Sequence, residues 1–331
     1  MKSIKVEIKR GNLSESFHDL KIFVINSKNK VLFSTNNDID YVYPRSSIKI
    51  LQAIPFISSG AVDYFKVNDK EIALSASSHG GEPRHMYFLK NWMKKIKVNE
   101  KYLKCGIHNP LNFNYSNKLL LKGIKPNELY NNCSGKHLGM ISTSIYNKNN
   151  LANYLKYNHP TQKEILSILE DFTEHIVKKK SYAIDGCSAP QYSFPLNSLG
   201  LAMQKISSFE KLDFKLSLSL NRLLYCISKN PFFIGGTNRF DSELIKITKG
   251  RIFCKQGAEG VLLFSDMKNK YGGILKVKDG NNRAIPSATI KLLRNIKSIT
   301  KNEVEKLKKW DPEFLYNHSN KKIGLIKSYI L

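Results

Sequence analysis

The chain has 331 residues, and 53 Lys and Arg residues against 27 Asp and Glu residues give it a formal net charge of +26. Its length suits about two domains or one large unit with two lobes, and a 41% hydrophobic content argues against disorder. No apolar run reaches the ~18 residues that a membrane helix needs, and the N-terminus lacks the apolar block of a secretory signal. These features predict a soluble, globular, cytoplasmic protein with no membrane partner.

The excess of positive charge favours nucleic-acid binding, but its distribution does not. The lysines are spread through the chain, and the longest basic clusters, 178–180 and 306–309, adjoin amphipathic helical patterns and are expected to be solvated. We therefore expect no specific nucleic-acid partner. Nonspecific attraction to phosphates would follow from the charge alone.

Periodicity predicts the elements in chain order. Alternating apolar and polar residues over 4–8, 20–25 and 31–34 predict an antiparallel opening meander. A helix is expected just after Pro44, and Pro83, at a tolerated first-turn position, begins another. Later elements are expected as helices at 133–145, 161–176 and 214–228, strands at 260–265 and 273–277, helices at 288–296 and 304–310, and a strand at 323–330.

The predicted strands occupy both ends of the chain, and the predicted helices occupy the middle. This order is typical of an α+β fold in which the two termini build one antiparallel sheet. We expect a single unit of 1–331 with two lobes. The sheet lobe covers about 1–45 and 235–331, and the mainly helical lobe covers about 46–234.

The first candidate for chemistry is the segment Arg45-Ser46-Ser47-Ile48-Lys49. Ser46 and Lys49 are three residues apart at a predicted helix start, so their side chains share one face. A serine hydroxyl is a poor nucleophile until a neighbour takes its proton, which a desolvated lysine can do. Ser-x-x-Lys occurs in serine acyl-transfer enzymes, but a helix-capping serine with a solvent-facing lysine fits the same pattern.

Two glycine-containing turns are further candidates. In the segment Ser77-Ser78-His79-Gly80-Gly81-Glu82-Pro83, small residues precede a helix, so backbone amides can approach a ligand. Lys255-Gln256-Gly257 opens a strand and is similar to the Lys-x-Gly edge beside the serine of β-lactamase-like enzymes. Either segment on its own can also be explained as an ordinary turn without a functional role.

The five cysteines are scattered and odd in number, which favours reduced thiols over a disulfide framework. Cys133 and Lys136 are three residues apart at a predicted helix start, and Cys187 follows Asp185-Gly186. Two thiols suit Zn²⁺, and a metal could hold a lysine in its neutral form. Buried cysteines that only pack remain the alternative.

Taken together and in chain order, the segments described above resemble the L-asparaginase II family of the Rhizobium etli type over about residues 5–328. The resemblance rests on Arg45-Ser46-x-x-Lys49, Ser78-His79-x-Gly81-Glu82-Pro83, Cys133-Ser134-Gly135-Lys136-His137, Asp185-Gly186-Cys187, Lys255-x-Gly257-Ala258-Glu259-Gly260, Gly236-Thr237-x-Arg239-x-Asp241 and Asp279-Gly280-x-x-Arg283-Ala284. The chain departs from the family at Ile50, where proline is usual, and this position lies past the chemistry. The resemblance implies a serine β-lactamase/glutaminase-like fold.

The resemblance also implies hydrolysis of L-asparagine to L-aspartate and ammonia by a homodimer. It implies that Ser46 is the nucleophile and Lys49 its base, and that Ser78 and Lys255 form a second Ser–Lys pair. The residues implied to contact substrate or hold the site together are Arg45, His79 and Asp185. The implied ligands of a Zn²⁺ that helps to position substrate are Cys133, Lys136 and Cys187.

Three alternatives stay open. Glutaminase is the nearest, because an apolar pocket discriminates one methylene by only about 1–3 kcal/mol. A β-lactam-recognising acyl-serine hydrolase would need neither thiol of the implied metal set. A basic nucleic-acid-binding protein on a decayed enzyme fold would show broken catalytic positions, whereas all four Ser and Lys positions are intact.

Overall fold

The computed structural model describes residues 2–331, which form two compact units. The sheet unit comprises the chain up to Ser47, Ser193–Ser208 and Glu243–Leu331. The helical unit comprises Ile48–Tyr192 and Phe209–Ser242. The segment Ser193–Ser208 therefore belongs with the sheet, although the sequence assigned it to the helical lobe.

The strands are, in chain order, β1 (Ile4–Arg10), β2 (Leu13–Asn26), β3 (Val31–Ser34), β4 (Tyr41–Val42), β5 (Tyr182–Ile184), β6 (Pro190–Tyr192), β7 (Phe194–Pro195), β8 (Ile252–Gly257), β9 (Val261–Asp266), β10 (Tyr271–Val277), β11 (Glu313–Tyr316) and β12 (Lys322–Ile330). Within the described residues, eight of them form one sheet in the order β11-β12-β1-β2-β10-β9-β8, with β3 also paired to β2. Two short pairs, β4 with β7 and β5 with β6, lie outside it.

All pairings in the large sheet are antiparallel, and the two chain ends meet within it because β1 pairs with β12. The long strand β2 joins its two halves. Its first half pairs with β1, where Val6 lies opposite His18, and its second half pairs with β10, where Phe23 lies opposite Ile274. The alternate apolar residues of β1 are buried. These pairings confirm an α+β fold with an antiparallel sheet from both termini.

The helices are, in chain order, α1 (Lys49–Gln52), α2 (Ile54–Ser58), α3 (Ala61–Tyr64), α4 (Asp69–Ser75), α5 (Pro83–Lys95), α6 (Phe113–Leu121), α7 (Ser134–Tyr146), α8 (Pro160–Thr173), α9 (Leu196–Ser207), α10 (Phe214–Lys229), α11 (Phe232–Gly235), α12 (Phe240–Ile247), α13 (Ile285–Asn295) and α14 (Lys301–Lys306). In the sheet unit, α9 packs on β2, β9 and β10, and α13 packs on β1 and β12.

In the helical unit, α7 lies at the centre and contacts α2, α4, α5 and α8. Its residues from Ser134 to Ser144 are all buried. Gly135 permits the close approach of α7 to α4, because a Cβ at this position would lie 2.3 Å from the carbonyl oxygen of Leu74. This packing fixes the first turn of α7.

The structure corrects the predicted helix after Pro44. The chain forms a 3₁₀ turn at Arg45–Ile48 and then the short helices α1 and α2, separated at Ala53. Pro55 in the first turn of α2 lacks the N–H that a continuous helix would need. Within residues 2–331, no helix has the length and apolar character required to cross a bilayer.

Candidate active site

Ser46 lies in the 3₁₀ turn of the sheet unit, which the backbone holds tightly. Both the backbone N–H and the hydroxyl of Ser47 donate to the carbonyl of Pro44, at 3.1 and 2.5 Å. Arg45, the residue before Ser46, adopts a left-handed backbone conformation with a φ of 52°. Both Arg45 and Ser46 are half-buried. A non-glycine residue in this conformation stores backbone strain of order 1–3 kcal/mol, a feature that clusters at functional sites.

Strand β8 packs against this turn. A Cβ at Gly257 would lie 2.7 Å from the carbonyl oxygen of Pro44, so only glycine allows this approach. Lys255 is two residues earlier on β8, and alternate residues of a strand share one face. Its side chain is fully buried. The structure thus brings the strand that carries Lys255 onto the turn that carries Ser46.

Lys49 lies in the helical unit, where its side chain is fully buried. Its Nζ donates to the carbonyl of Ser77 at 2.5 Å, to Ser78 Oγ at 3.0 Å and to Cys133 Sγ at 3.2 Å. The sequence assigned Lys49 and Ser78 to different Ser–Lys pairs. The structure brings these two residues into direct contact, and it adds Cys133 of the implied metal set.

The loop between α4 and α5 holds Ser78 in place. The backbone N–H of Ser78 donates to the carbonyl of Ile234 at 2.8 Å. Further along the loop, the carboxylate of Glu82 accepts hydrogen bonds from the backbone N–H and the hydroxyl of Thr237, at 2.7 and 2.6 Å. Both ends of the loop are therefore attached to the segment that follows α10.

His79 is fully buried in the same loop. Its Nδ1 accepts from the backbone N–H of Gly81 at 3.2 Å, so its Nε2 carries the hydrogen and donates to Ser134 Oγ at 2.9 Å. Burial holds the pKa of His79 well below its usual value, so the ring is neutral. Both ring nitrogens have partners within the protein, which favours a loop-holding role. The contact of His79 with substrate stays a prediction.

Cys133 and Lys136 lie on the first turn of α7. Cys133 is the N-cap residue, and its backbone N–H donates to the side-chain oxygen of Asn131 at 2.9 Å. Asn131 is itself held by the carbonyl of Cys105, to which its amide nitrogen donates at 2.8 Å. Since residues three apart on a helix share a face, Cys133 and Lys136 point to the same side of α7.

Cys187 completes this cluster. Lys136 Nζ donates to Cys187 Sγ at 3.1 Å, and Asp185 Oδ2 lies 3.8 Å from the same sulfur. The hydrogen bond between the two thiols lowers the pKa of Cys187 and raises that of Cys133. Burial alone would lower the pKa of Lys136, but the charges of Cys187 and Cys133 outweigh it and raise this pKa. The group is a buried lysine side chain beside two buried cysteines.

Cys133 and Cys187 are donors of the kind that Zn²⁺ prefers, because thiolate sulfur is a preferred zinc ligand. Residues 2–331 hold no group of three or more His, Cys, Asp or Glu side chains that could bind a metal. Cys133 and Cys187 supply two such donors, so a third protein ligand would be Lys136. Its amine would have to lose a proton when the metal binds.

A serine hydroxyl beside a buried lysine amine, as in the contact of Ser78 with Lys49, is found in hydrolases that act through an activated serine. The chain matches the L-asparaginase II family over residues 6–328. It therefore belongs to the L-asparaginase II family and is an amidohydrolase. The family predicted from the sequence motifs is confirmed, and the Rhizobium etli type within it stays a prediction.

A solved structure assigned as a β-lactamase from Bacteroides dorei is similar to the chain. The TM-score is 0.45 and the sequence identity 9%, over 84% of this chain and 93% of that chain. No curated protein sequence matches the chain significantly.

Sequence reasoning missed three participants in the cluster around Lys49 and Cys187. Ser77 stands at the start of a candidate segment but received no role there, and it contributes its backbone carbonyl. His137 stands in the quoted Cys-Ser-Gly-Lys-His segment but received no role there. Tyr154 contacts His137, with 2.6 Å between Tyr154 OH and His137 Nδ1, and carries no local signal at all.

Proposed function

We propose that the protein hydrolyses L-asparagine to L-aspartate and ammonia through a covalent intermediate on Ser46. Membership of the L-asparaginase II family supports this substrate and this bond. The observation that supports a Ser–Lys mechanism is the 3.0 Å contact between Lys49 Nζ and Ser78 Oγ, in which both side chains are buried. The choice of Ser46 as the nucleophile is carried over from the family motif. A lysine held against a serine hydroxyl can exchange protons with it without help from bulk water.

In the proposed reaction, Ser46 Oγ attacks the side-chain carboxamide carbon of the substrate, and its proton passes to a neutral lysine amine, that of Lys49. The C–N bond then breaks, and the departing nitrogen takes a proton to leave as ammonia. Water hydrolyses the aspartyl ester that remains on Ser46. Ser78 and Lys255 form the second pair, which passes protons between the lysines and the leaving group.

Other residues bind substrate and stabilise charge. The backbone N–H of Ser46, at the start of its turn, is a candidate donor to the oxyanion that forms during attack. Arg45 would orient the substrate or hold the site together. Asp185 lies beside Cys187 and Lys136, where its carboxylate would attract the substrate ammonium group.

Cys133, Lys136 and Cys187 would hold Zn²⁺. When bound, the ion would supply a fixed positive charge that attracts the oxygen atoms of the substrate and positions it. The nucleophile is then still the serine, so these three residues assist binding more than the chemical step. The homodimer and the cytoplasmic location also stay predictions.

Ammonia release from L-asparagine and L-glutamine by the purified protein tests the proposal. We expect L-asparagine to be preferred by about 10–200-fold, the range that one methylene allows. Ser46→Ala should lower kcat by at least about 10⁴-fold, as loss of a nucleophile does. Ser47→Ala, the same change at the next residue, should retain most activity. Near-normal turnover by Ser46→Ala would refute the mechanism, and equal or better turnover of L-glutamine would refute the substrate.

A further inference from the structure

The segment Asp279-Gly280-x-x-Arg283-Ala284 belongs to the family resemblance but has no part in the proposed reaction. It lies in the loop of residues 278–284, which joins β10 to α13 within the sheet unit. Where β10 ends, the backbone N–H of Val277 donates to the carbonyl of Gly260 at 2.8 Å. Gly260 stands in the turn between β8 and β9. The loop therefore begins beside the turn that follows Lys255 on β8.

His18, a buried residue of β2, holds the loop against the sheet. Arg283 Nε donates to His18 Nε2 at 2.9 Å. A guanidinium has no acceptor, so Nε2 accepts and the neutral ring carries its hydrogen on Nδ1. That N–H donates to Asp279 Oδ2 at 2.5 Å, and Asp279 Oδ1 accepts the backbone N–H of Asn281 at 3.0 Å. One imidazole thus connects both charged residues of the segment to β2.

Asn282 lies between these two charged residues and reaches the turn between β8 and β9. Its side-chain oxygen accepts the backbone N–H of Gly260 at 3.1 Å and the side-chain amide of Gln256 at 3.4 Å. Lys276 Nζ supports the same turn, because it donates to the carbonyl of Glu259 at 2.6 Å. A single side-chain oxygen of the loop therefore contacts both sides of the turn.

The two residues held by the loop enclose Gly257. This glycine packs on the carbonyl of Pro44 so closely that no side chain fits there. Just before it on β8, Lys255 Nζ donates to the backbone carbonyl of Gln256 at 2.8 Å. A shift of the turn would therefore move two groups together, the amine of Lys255 and the glycine that packs on the turn of Ser46.

We propose that Asn282 is a positioning residue of the hydrolysis, whose side-chain oxygen holds the end of β8, and with it Lys255, against the turn of Ser46. This inference rests on the proposed function, because Lys255 belongs to the second Ser–Lys pair there. Asn282 acts through the turn and does not contact substrate, and the bridge through His18 fixes the loop that carries it. A displacement of about 1 Å at a reacting group can lower the rate by about 100-fold, even when the substituted residue is remote from the chemistry.

Kinetics of two substitutions at Asn282 test the inference on the intact chain. Asn282→Ala removes the acceptor and should lower kcat per folded molecule for L-asparagine by about 10–100-fold, with little change in KM. Asn282→Asp keeps an acceptor oxygen at the same reach and should recover most of this loss. Asn269→Ala is the matched control, because it removes a side-chain hydrogen bond of 2.8 Å to Asp266 from the turn at the other end of β9, and it should keep its kcat. An unchanged kcat in Asn282→Ala, or the same loss in Asn282→Asp, would overturn the inference.

Amide hydrogen exchange, followed by nuclear magnetic resonance on ¹⁵N-labelled protein, provides a second readout that needs no substrate. Since the N–H of Gly260 donates to Asn282, its exchange should be about 5–10-fold faster in Asn282→Ala and close to the wild-type rate in Asn282→Asp. Unchanged exchange in Asn282→Ala would overturn the inference, as would faster exchange with an unchanged kcat. Wild-type protein that releases no ammonia from L-asparagine, or Lys255→Met with a normal kcat, would instead overturn the proposed function.

Discussion

Replacement of Lys49 by methionine should separate catalysis from stability. Lys49→Met keeps the length of a fully buried side chain and removes an amine that donates to Ser77, Ser78 and Cys133. Each lost hydrogen bond contributes about 0.5–1.5 kcal/mol, so the three together contribute about 1.5–4.5 kcal/mol. Against this loss, the variant no longer has to bury a polar amine, which costs about 1–3 kcal/mol. The two terms largely offset each other, so we expect the free energy of unfolding to change by less than about 2 kcal/mol.

The effect on the reaction should be much larger. If Lys49 accepts the proton of the nucleophile, its loss should lower kcat by about 10⁴-fold or more. That factor corresponds to at least about 5 kcal/mol in the activation barrier. Ammonia release gives kcat, and urea denaturation followed by circular dichroism gives the free energy of unfolding.

Lys95→Met is the matched control, because it makes the same change in the same unit. Lys95 Nζ lies 2.6 Å from Oε2 of Glu71, a carboxylate that is fully buried and whose other oxygen has no hydrogen bond within residues 2–331. Removal of one partner of a buried ion pair costs 3–5 kcal/mol, and the partial exposure of Lys95 places the expected loss near the lower end. The folded fraction should keep its kcat.

The two variants should therefore show opposite patterns. Loss of more than about 3 kcal/mol of stability by Lys49→Met, with kcat per folded molecule largely retained, would show that this lysine serves the fold and would refute the reasoning. Loss of kcat by Lys95→Met at full stability would show that the assay does not separate the two roles.

Three further predictions follow. Cys187→Ser should lose bound zinc and raise KM more than it lowers kcat, because the proposed nucleophile is a serine and not a metal-bound water. Metal analysis and kinetics measure both effects, and the reverse pattern would indicate a catalytic metal. Burial lowers the pKa of His85 to about 4 from about 6.5 in an unfolded chain, so protonation favours unfolding. Stability should fall by up to about 3 kcal/mol as the pH drops from about 6.5 to 4, and His85→Phe should reduce this slope in denaturation series. Lys49→Met and Lys255→Met should be strongly non-additive in kcat, because groups that act as a unit lose little more when both are removed; additive losses would mean independent roles.

Six of the eight strands of the sheet were predicted from their apolar residues, whereas β8 and β11 were not, and β9 is buried along its whole length without alternation. In β1 the apolar residues Ile4, Val6 and Ile8 are buried at alternate positions. Once strands are predicted at both ends of the chain, the pairing of β1 with β12 is the expected one. The helix α9 was missed, although its residues are largely buried. Its apolar face packs on β2, β9 and β10, and none of the segments identified in the sequence covers it.

The candidate site was predictable in its residues and not in its contacts. The spacing of Ser46 and Lys49 suggests a pair, but spacing cannot show that Lys49 Nζ reaches Ser78 and Cys133. The turn at Arg45 explains part of the gap. A regular helix start was expected there, whereas the left-handed backbone at Arg45 and the 3₁₀ turn redirect the chain. Neither feature has a local sequence signal, because glycine is absent from the turn.

A continuous line of buried contacts joins the proposed proton-transfer and metal residues. It runs from Ser78 through Lys49 and Cys133 to Cys187 and ends at Lys136. Cys133 is the member that belongs to both parts, since it contacts Lys49 and would also bind the metal. A change at Cys133 therefore removes a zinc ligand and a partner of the proposed base together, whereas a change at Cys187 leaves the three hydrogen bonds of Lys49 in place. For this reason Cys187 is the cleaner position at which to ask what the metal does, and any larger loss of kcat in Cys133→Ser would measure the contribution of its contact with Lys49.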